Sequence, residues 1–189
     1  MALDFTHKTN PFTVLTSKPI YSNAWIDVVE HQVLTPRKTP GIYGTVSFKH
    51  RAVGVIPYAD GYIWLVGQYR FPLKQYSWEI PEGGSPQGED LVETARRELK
   101  EETGLEAKTF ELITRMHLSN SVSDEYGEIF LARDITVGTP NPEDTEELSL
   151  QRISLEEAYR LVVDGTITDS LSVAGIFRLM LMKYEGTLG

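Results

Sequence analysis

Gly83-Gly84-Ser85-Pro86-Gln87-Gly88-Glu89-Asp90-Leu91-Val92-Glu93-Thr94-Ala95-Arg96-Arg97-Glu98-Leu99-Lys100-Glu101-Glu102-Thr103-Gly104-Leu105 is the stretch on which the reading of this chain turns. Its second half predicts a helix over residues 90–102, because Leu91, Ala95 and Leu99 recur every four residues as one apolar stripe. Asp90 with Glu93 has capping-box spacing, and Gly104 suits the left-handed stop after the last turn. Glu98, Glu101 and Glu102 stand three and four residues apart, so all three carboxylates fall on one side of the cylinder. Like charges so placed repel by a few tenths of a kcal/mol per pair, and a divalent cation reverses that sign. From the helix alone, the face is either a cation site or a solvated acidic stripe balanced by Arg96, Arg97 and Lys100.

The rest of the chain supports a folded α/β protein. It has 189 residues, of which 41% are hydrophobic and 24% charged, enough for one domain of roughly 150 residues with an appendage. The net charge of 18 − 27 = −9 weighs against a general nucleic-acid binder. Absence of cysteine removes disulfides, thiolate metal sites and a cysteine nucleophile. Met1-Ala2-Leu3-Asp4 opens no secretion signal, and no apolar run reaches the ~20 residues of a membrane helix, so a cytoplasmic protein is expected.

Before the central helix, residues 12–15, 25–29 and 31–34 read as thin strands that cannot enclose a core, broken by Thr35-Pro36-Arg37-Lys38-Thr39-Pro40-Gly41. They are expected to pack on the main domain or on a second subunit. Residues 43–48, 52–58 and 62–69 read as three strands, the last two joined across Ala59-Asp60-Gly61. Residues 75–80 form a short fourth, and residues 81–88 a glycine-rich loop. Strands near 110–116 and 129–132 flank a polar loop at 118–127, and a linker rich in Pro, Asn and acids spans 138–147. Helices are expected at 154–163 and 170–183. This order suggests an α/β sandwich with a mixed β-sheet. His7, His31, His50 and His117 show no ligand spacing, and no Ser-His-Asp or Walker-type pattern occurs.

Gly83, Glu89, Arg97-Glu98, Glu101-Glu102 and Gly104 stand at the defining positions of the Nudix box, and the chain resembles a Nudix hydrolase. Seven fixed residues at background frequency would recur by chance about once in 10⁸ starting positions. The resemblance implies an α/β/α sandwich over residues 46–189, after a strand-exchanging, dimerising β segment at 1–45. It further implies water attack on the pyrophosphate of a nucleoside diphosphate linked to another group, with Mg²⁺ or Mn²⁺ bound. Glu98, Glu101, Glu102 and the backbone carbonyl of Glu82 would be the ligands, with Glu101 also orienting water and Arg97 bracing the helix through Glu89.

Gln68-Tyr69-Arg70-Phe71-Pro72 and Trp78-Glu79-Ile80-Pro81-Glu82-Gly83 resemble the ADP-ribose and nucleoside diphosphate sugar pyrophosphatase branch. That likeness makes Arg70 a diphosphate-binding candidate, with Glu79 beside it and an ion pair at the strand edge as the alternative role for both. Trp25 is a candidate platform for the base, or a packed apolar residue, and Arg51 a further phosphate contact. Glu125 occupies the place of the general base, with Asp124 and Glu128 as alternatives in the same stretch. The expected partner is a nucleotide-sugar substrate, in a homodimer. Alternative readings are a Nudix hydrolase of a GDP-sugar, dinucleoside polyphosphate or modified nucleoside triphosphate, or a non-catalytic nucleotide sensor.

Overall fold

Residues 9–138 and 148–188 are described in a computed structural model of the chain, which divides them into two compact units. The expectations for Met1 to Asp4, for His7 and for most of the 138–147 linker lie outside the described residues.

The first unit takes residues up to Lys49 together with Ser119–Asp124. Three antiparallel strands, β1 (Thr13–Ser22), β2 (Ile26–Leu34) and β3 (Pro40–Phe48), form its sheet in that order. The pieces expected at 25–29 and 31–34 are the single strand β2, and the short piece expected at 12–15 is part of the longer β1, bent by register shifts after Val14 and after Pro19. Proline is tolerated there because β1 is an edge strand and needs no further donor. Val33 is the fully buried apolar residue of this sheet; Val14, Leu15, Ile20 and Ile42 stay exposed. The loop at 119–124 joins the unit through Val46, whose N–H donates to the Val122 carbonyl at 2.9 Å, and through Tyr43, whose hydroxyl donates to the Ser121 carbonyl.

The second unit is an α/β sandwich. Its strands are β4 (Arg51–Ala59), β5 (Tyr62–Arg70), β6 (Gln75–Glu79), β7 (Glu82–Ser85), β8 (Leu105–Glu106), β9 (Thr109–His117), β10 (Tyr126–Arg133), β11 (Thr136–Val137) and β12 (Ser149–Ser154). The main sheet runs β12-β5-β4-β10-β9, with β6 on β5 and β7 on β4; β4 and β10 are parallel and the other pairs antiparallel. The β4–β5 turn has both Asp60 and Gly61 at positive φ, the geometry that matches strand twist in a tight hairpin. The loop expected over 81–88 contains β7: glycine carries no side chain to obstruct the ladder, and the extended backbone satisfies its donors and acceptors on β4.

Side-chain alternation divides the core. Val53 and Val55 of β4 and Phe130 and Ala132 of β10 pack with Ala95 and Leu99 of helix α1 (Leu91–Thr103). Ile56, Ile129 and Leu131 point the other way, onto helices α2 (Leu155–Val163) and α3 (Ser170–Tyr184). Asp90, Ser154 and Asp169 cap the three helices by accepting N–H bonds from Val92, Glu157 and Ser172. Asp90 thus caps α1 as expected, whereas Glu93 pairs with Arg96. α1 ends at Gly104, with φ 70° and its N–H on the Lys100 carbonyl.

α3 lies close to the sheet because glycine faces it. A Cβ on Gly127 would meet Leu171 at 2.8 Å and Leu118 at 3.1 Å, and one on Gly54 would meet Ile80 at 2.7 Å and Leu171 at 3.6 Å. Overpacking such a site forces neighbours off their rotamers, so Gly127→Ala is expected to cost about 1–3 kcal/mol in urea unfolding, with unchanged far-ultraviolet circular dichroism.

Candidate active site

The sequence folds the glycine stretch against the acidic face of α1. β7 pairs Glu82 with Gly54 and Gly83 with Val53, which brings its backbone beside the helix. The Glu82 N–H donates to Glu102 Oε2 at 3.0 Å. At Gly83 even a methyl group is excluded, since an added Cβ would fall 2.1–2.5 Å from all three carboxyl atoms of Glu98. Glu98 and Glu102 are correspondingly buried, at 9% and 4% exposure.

Arg97 ties this region together. Its Nη1 donates to Glu98 Oε1 at 2.6 Å and Glu101 Oε2 at 3.1 Å, and its Nη2 donates to the Gly84 carbonyl at 3.3 Å. Glu89 lies 3.6 Å from the same Nη2 and accepts a hydrogen bond from the Thr94 hydroxyl. Arg97 therefore spans the helix and the glycine strand. Burial works against its charge, but Glu98 and Glu101 outweigh that and raise its pKa.

A second arginine stands at the end of β5. Arg70 Nε donates to both oxygens of Glu79 at 3.0 Å, and its Nη2 donates to Glu79 Oε2 and, at 3.0 Å, to Glu82 Oε1. This fork-like pairing fits guanidinium geometry, and Glu79 is fully buried beneath it. Burial disfavours the Arg70 charge, yet the Glu79 hydrogen bond and the Glu82, Glu79 and Asp169 charges raise its pKa.

Asp169 joins this site although the sequence does not mark it as a site residue. It caps α3, with Oδ2 accepting the Ser172 N–H at 2.8 Å. Oxygens of Glu79, Glu82 and Asp169 lie within 4.8 Å of one another, the tight carboxylate triple among the described residues. Its one local signal is the capping pattern Asp169-Ser170-Leu171-Ser172; nothing local connects it with Glu79, 90 positions earlier. Burial, followed by Asp169 and Glu79, pushes the Glu82 carboxyl well above the ordinary range. Glu82 Oε2 is buried without a hydrogen-bond partner.

Three carboxylates were candidates for one role between β9 and β10. Asp124 Oδ1 accepts the Phe48 N–H at 2.8 Å, both residues belonging to the first unit. Glu128, on β10, accepts from Arg115 Nε at 3.2 Å and the Tyr126 hydroxyl at 3.3 Å. Glu125 belongs to the second unit, and its pKa is raised by burial and then by the Asp169 charge. Arg51 opens β4 opposite Ser85 and lies 5.9 Å from the Tyr126 ring centre. Trp25 belongs to the first unit and is 59% exposed rather than packed in its core.

The donor set fits a hard divalent cation. Glu98 and Glu102 offer carboxylate oxygens beside the β7 backbone, where the missing Cβ of Gly83 makes room for Glu98, and the orphaned buried oxygen of Glu82 belongs to the side chain that joins the neighbouring Glu79–Glu82–Asp169 cluster. Of the expected carboxylates, Glu98 and Glu101 are both held by Arg97, whereas Glu102 accepts the Glu82 N–H.

Residues 48–169 match the NUDIX domain family. The chain is 33% identical over 173 residues to an ADP-ribose pyrophosphatase of Bacillus subtilis (strain 168), covering 89% of this chain and 92% of that protein. It is 31% identical over 170 residues to an ADP-ribose pyrophosphatase of Mycobacterium tuberculosis (strain ATCC 25618 / H37Rv), covering 87% and 81%. The crystal structure of an ADP compounds hydrolase superposes with a TM-score of 0.84 at 21% identity, over 96% of this chain and 100% of that one, and shows the same fold. No helix among the described residues is long and apolar enough to cross a membrane.

The raised Glu82 pKa makes the stability of the fold depend on pH. Between the ordinary carboxylate value and the raised one, the folded state holds a proton that the unfolded state has lost, so stability falls as pH rises through that window. In the presence of chelator, Glu82→Gln is expected to match the parent protein near pH 4 and to exceed it in urea midpoint at pH 8.

Proposed function

The chain belongs to the NUDIX family, as a Nudix pyrophosphohydrolase, and from that premise we propose that its substrate is ADP-ribose or a related nucleoside diphosphate sugar. The observation carrying this reading is the meeting, around β7, of Arg70 in its Glu79–Glu82 bracket with the Glu98 and Glu102 carboxylates of α1. One group supplies a fixed cation for an anionic substrate, and the other supplies oxygen ligands. The products are a nucleoside monophosphate and a sugar phosphate.

Glu98, Glu102 and the Glu82 carbonyl would hold Mg²⁺ or Mn²⁺, which when bound neutralises the diphosphate and acidifies the attacking water. Arg70 binds the diphosphate oxygens by charge-assisted hydrogen bonds. Arg97 orients Glu98 and Glu101 while it is itself held on the Gly84 carbonyl of β7. In the chemical step a water oxygen bonds to one phosphorus, the bridging P–O bond breaks, and Glu125 accepts the water proton. Its raised pKa makes it a stronger base than an ordinary carboxylate.

The first unit, we propose, pairs two chains. Leu15, Ile20, Trp25 and Ile42 leave a thin sheet with apolar side chains in water, which a second copy would bury.

Incubation of the protein with a panel of nucleotide sugars and Mg²⁺, with products identified by mass, tests the substrate assignment. Release of AMP and a sugar phosphate from ADP-ribose, lost in Glu102→Gln, is the expected result; preferential turnover of a nucleoside triphosphate would overturn it. Glu125→Gln is expected to lower kcat by about 10²–10⁴-fold with KM nearly unchanged, and to abolish the acid limb of the kcat profile. Light scattering should give twice the 21.3 kDa chain mass, and Ile42→Glu should shift the protein toward monomer.

A further inference from the structure

We infer that Asp169 is a positioning residue for Arg70: from the start of α3 its carboxylate closes, with Glu79 and Glu82, the bracket that holds the guanidinium in the orientation that meets the diphosphate. This rests on Arg70 being the diphosphate-binding residue of the proposed function.

Arg70 spends Nε and Nη2 on Glu79 and Glu82, and among the described residues Nη1 makes no hydrogen bond. Nη1 is therefore the donor left for substrate, and its direction depends on how firmly the opposite edge is gripped. Two carboxylates grip that edge directly. Asp169 lies with its oxygen inside the same 4.8 Å cluster, and its charge acts on Arg70 in the same sense as theirs.

The position of Asp169 is set by the backbone. Its Oδ2 is engaged by the Ser172 N–H, and the fully buried Ser172 hydroxyl accepts the Ile80 N–H at 2.8 Å. Ile80 lies on the short link between Glu79 and Glu82, so the first turn of α3 is bonded to the same piece of chain that carries the bracket. Gly54 admits Ile80 and Leu171 side by side, and this keeps the helix end close.

Capping does not account for the charge. Asn and Ser cap helices about as well as Asp does, without placing a third negative charge beside Glu79 and Glu82. Like charges so close in a partly buried site are unfavourable unless a cation shares them. The cation within the cluster is the guanidinium of Arg70.

The test uses the full chain with ADP-ribose and Mg²⁺. Asp169→Asn and, as a second cap-competent variant, Asp169→Ser should raise KM about fivefold with the thermal midpoint nearly unchanged, and with kcat within about twofold at a pH well above the acid limb, the limb itself moving to lower pH because the Asp169 charge no longer raises Glu125. On an Arg70→Ala background, which itself raises KM, the Asp169→Asn change should have no further effect. Unchanged KM in both Asp169 variants beside a damaged Arg70→Ala overturns this inference alone, as does an undiminished effect in the double variant or a loss confined to kcat. An Arg70→Ala protein with normal KM overturns the reading of Arg70 and this inference together.

Discussion

Carboxylates crowded into a partly buried space repel unless cations are set among them, and the candidate active site of this chain is organised around that constraint. Glu98 and Glu102 are packed against the backbone of β7, where Gly83 leaves no room for a side chain and the Glu82 N–H bonds directly to Glu102. The protein's own cations sit at the two margins: Arg97 holds Glu89, Glu98 and Glu101 on one side, and Arg70 holds Glu79 and Glu82 on the other. Negative charge still exceeds positive between them. That excess is what a divalent ion and an anionic substrate would jointly complete, since the ion reverses the local field that would otherwise repel a diphosphate.

The fold sustains this crowding by holding three elements at close range. β4 carries β7 on one edge and β10 on the other, so the glycine strand is anchored to the centre of the sheet. α1 packs its stripe on Val53 and Val55, which sets the height of its carboxylates above β7. On the opposite face, α3 approaches over Gly54 and Gly127, and its capped end brings Asp169 to the Arg70 bracket. A small change in any of these packings would move a charged oxygen in a low-dielectric region, where displacement is costly.

The first unit follows a different logic. Its sheet has a single deeply buried apolar side chain, Val33, and presents Leu15, Ile20, Trp25 and Ile42 to solvent. Hydrogen bonding between strands, together with the loop from Ser119 to Asp124, holds its shape. Asp124 is committed to that task through the Phe48 N–H, and so the neighbouring Glu125 is distinguished from it by structural duty although the two are adjacent in the chain.

Features that depend on neighbours three or four residues away were legible in the sequence. The apolar stripe of α1, its Asp90 cap and Gly104 stop, the Asp60-Gly61 hairpin and the shared face of Glu98 and Glu102 all follow from helical or turn geometry. Arg97 bracing Glu89 was legible too, because both lie within the same short motif. Features that join partners distant in the chain come from the packed fold. β7 is a strand because β4 offers it a ladder, and β12 because β5 does; neither carries a strand pattern of its own. Asp169 reads locally as a helix cap, and its place beside Glu79 and Glu82 arises from the packing of α3 on the sheet. Periodicity and capping are encoded over one or two turns, whereas the meeting of three carboxylates from separate elements exists only once the core that carries them has closed.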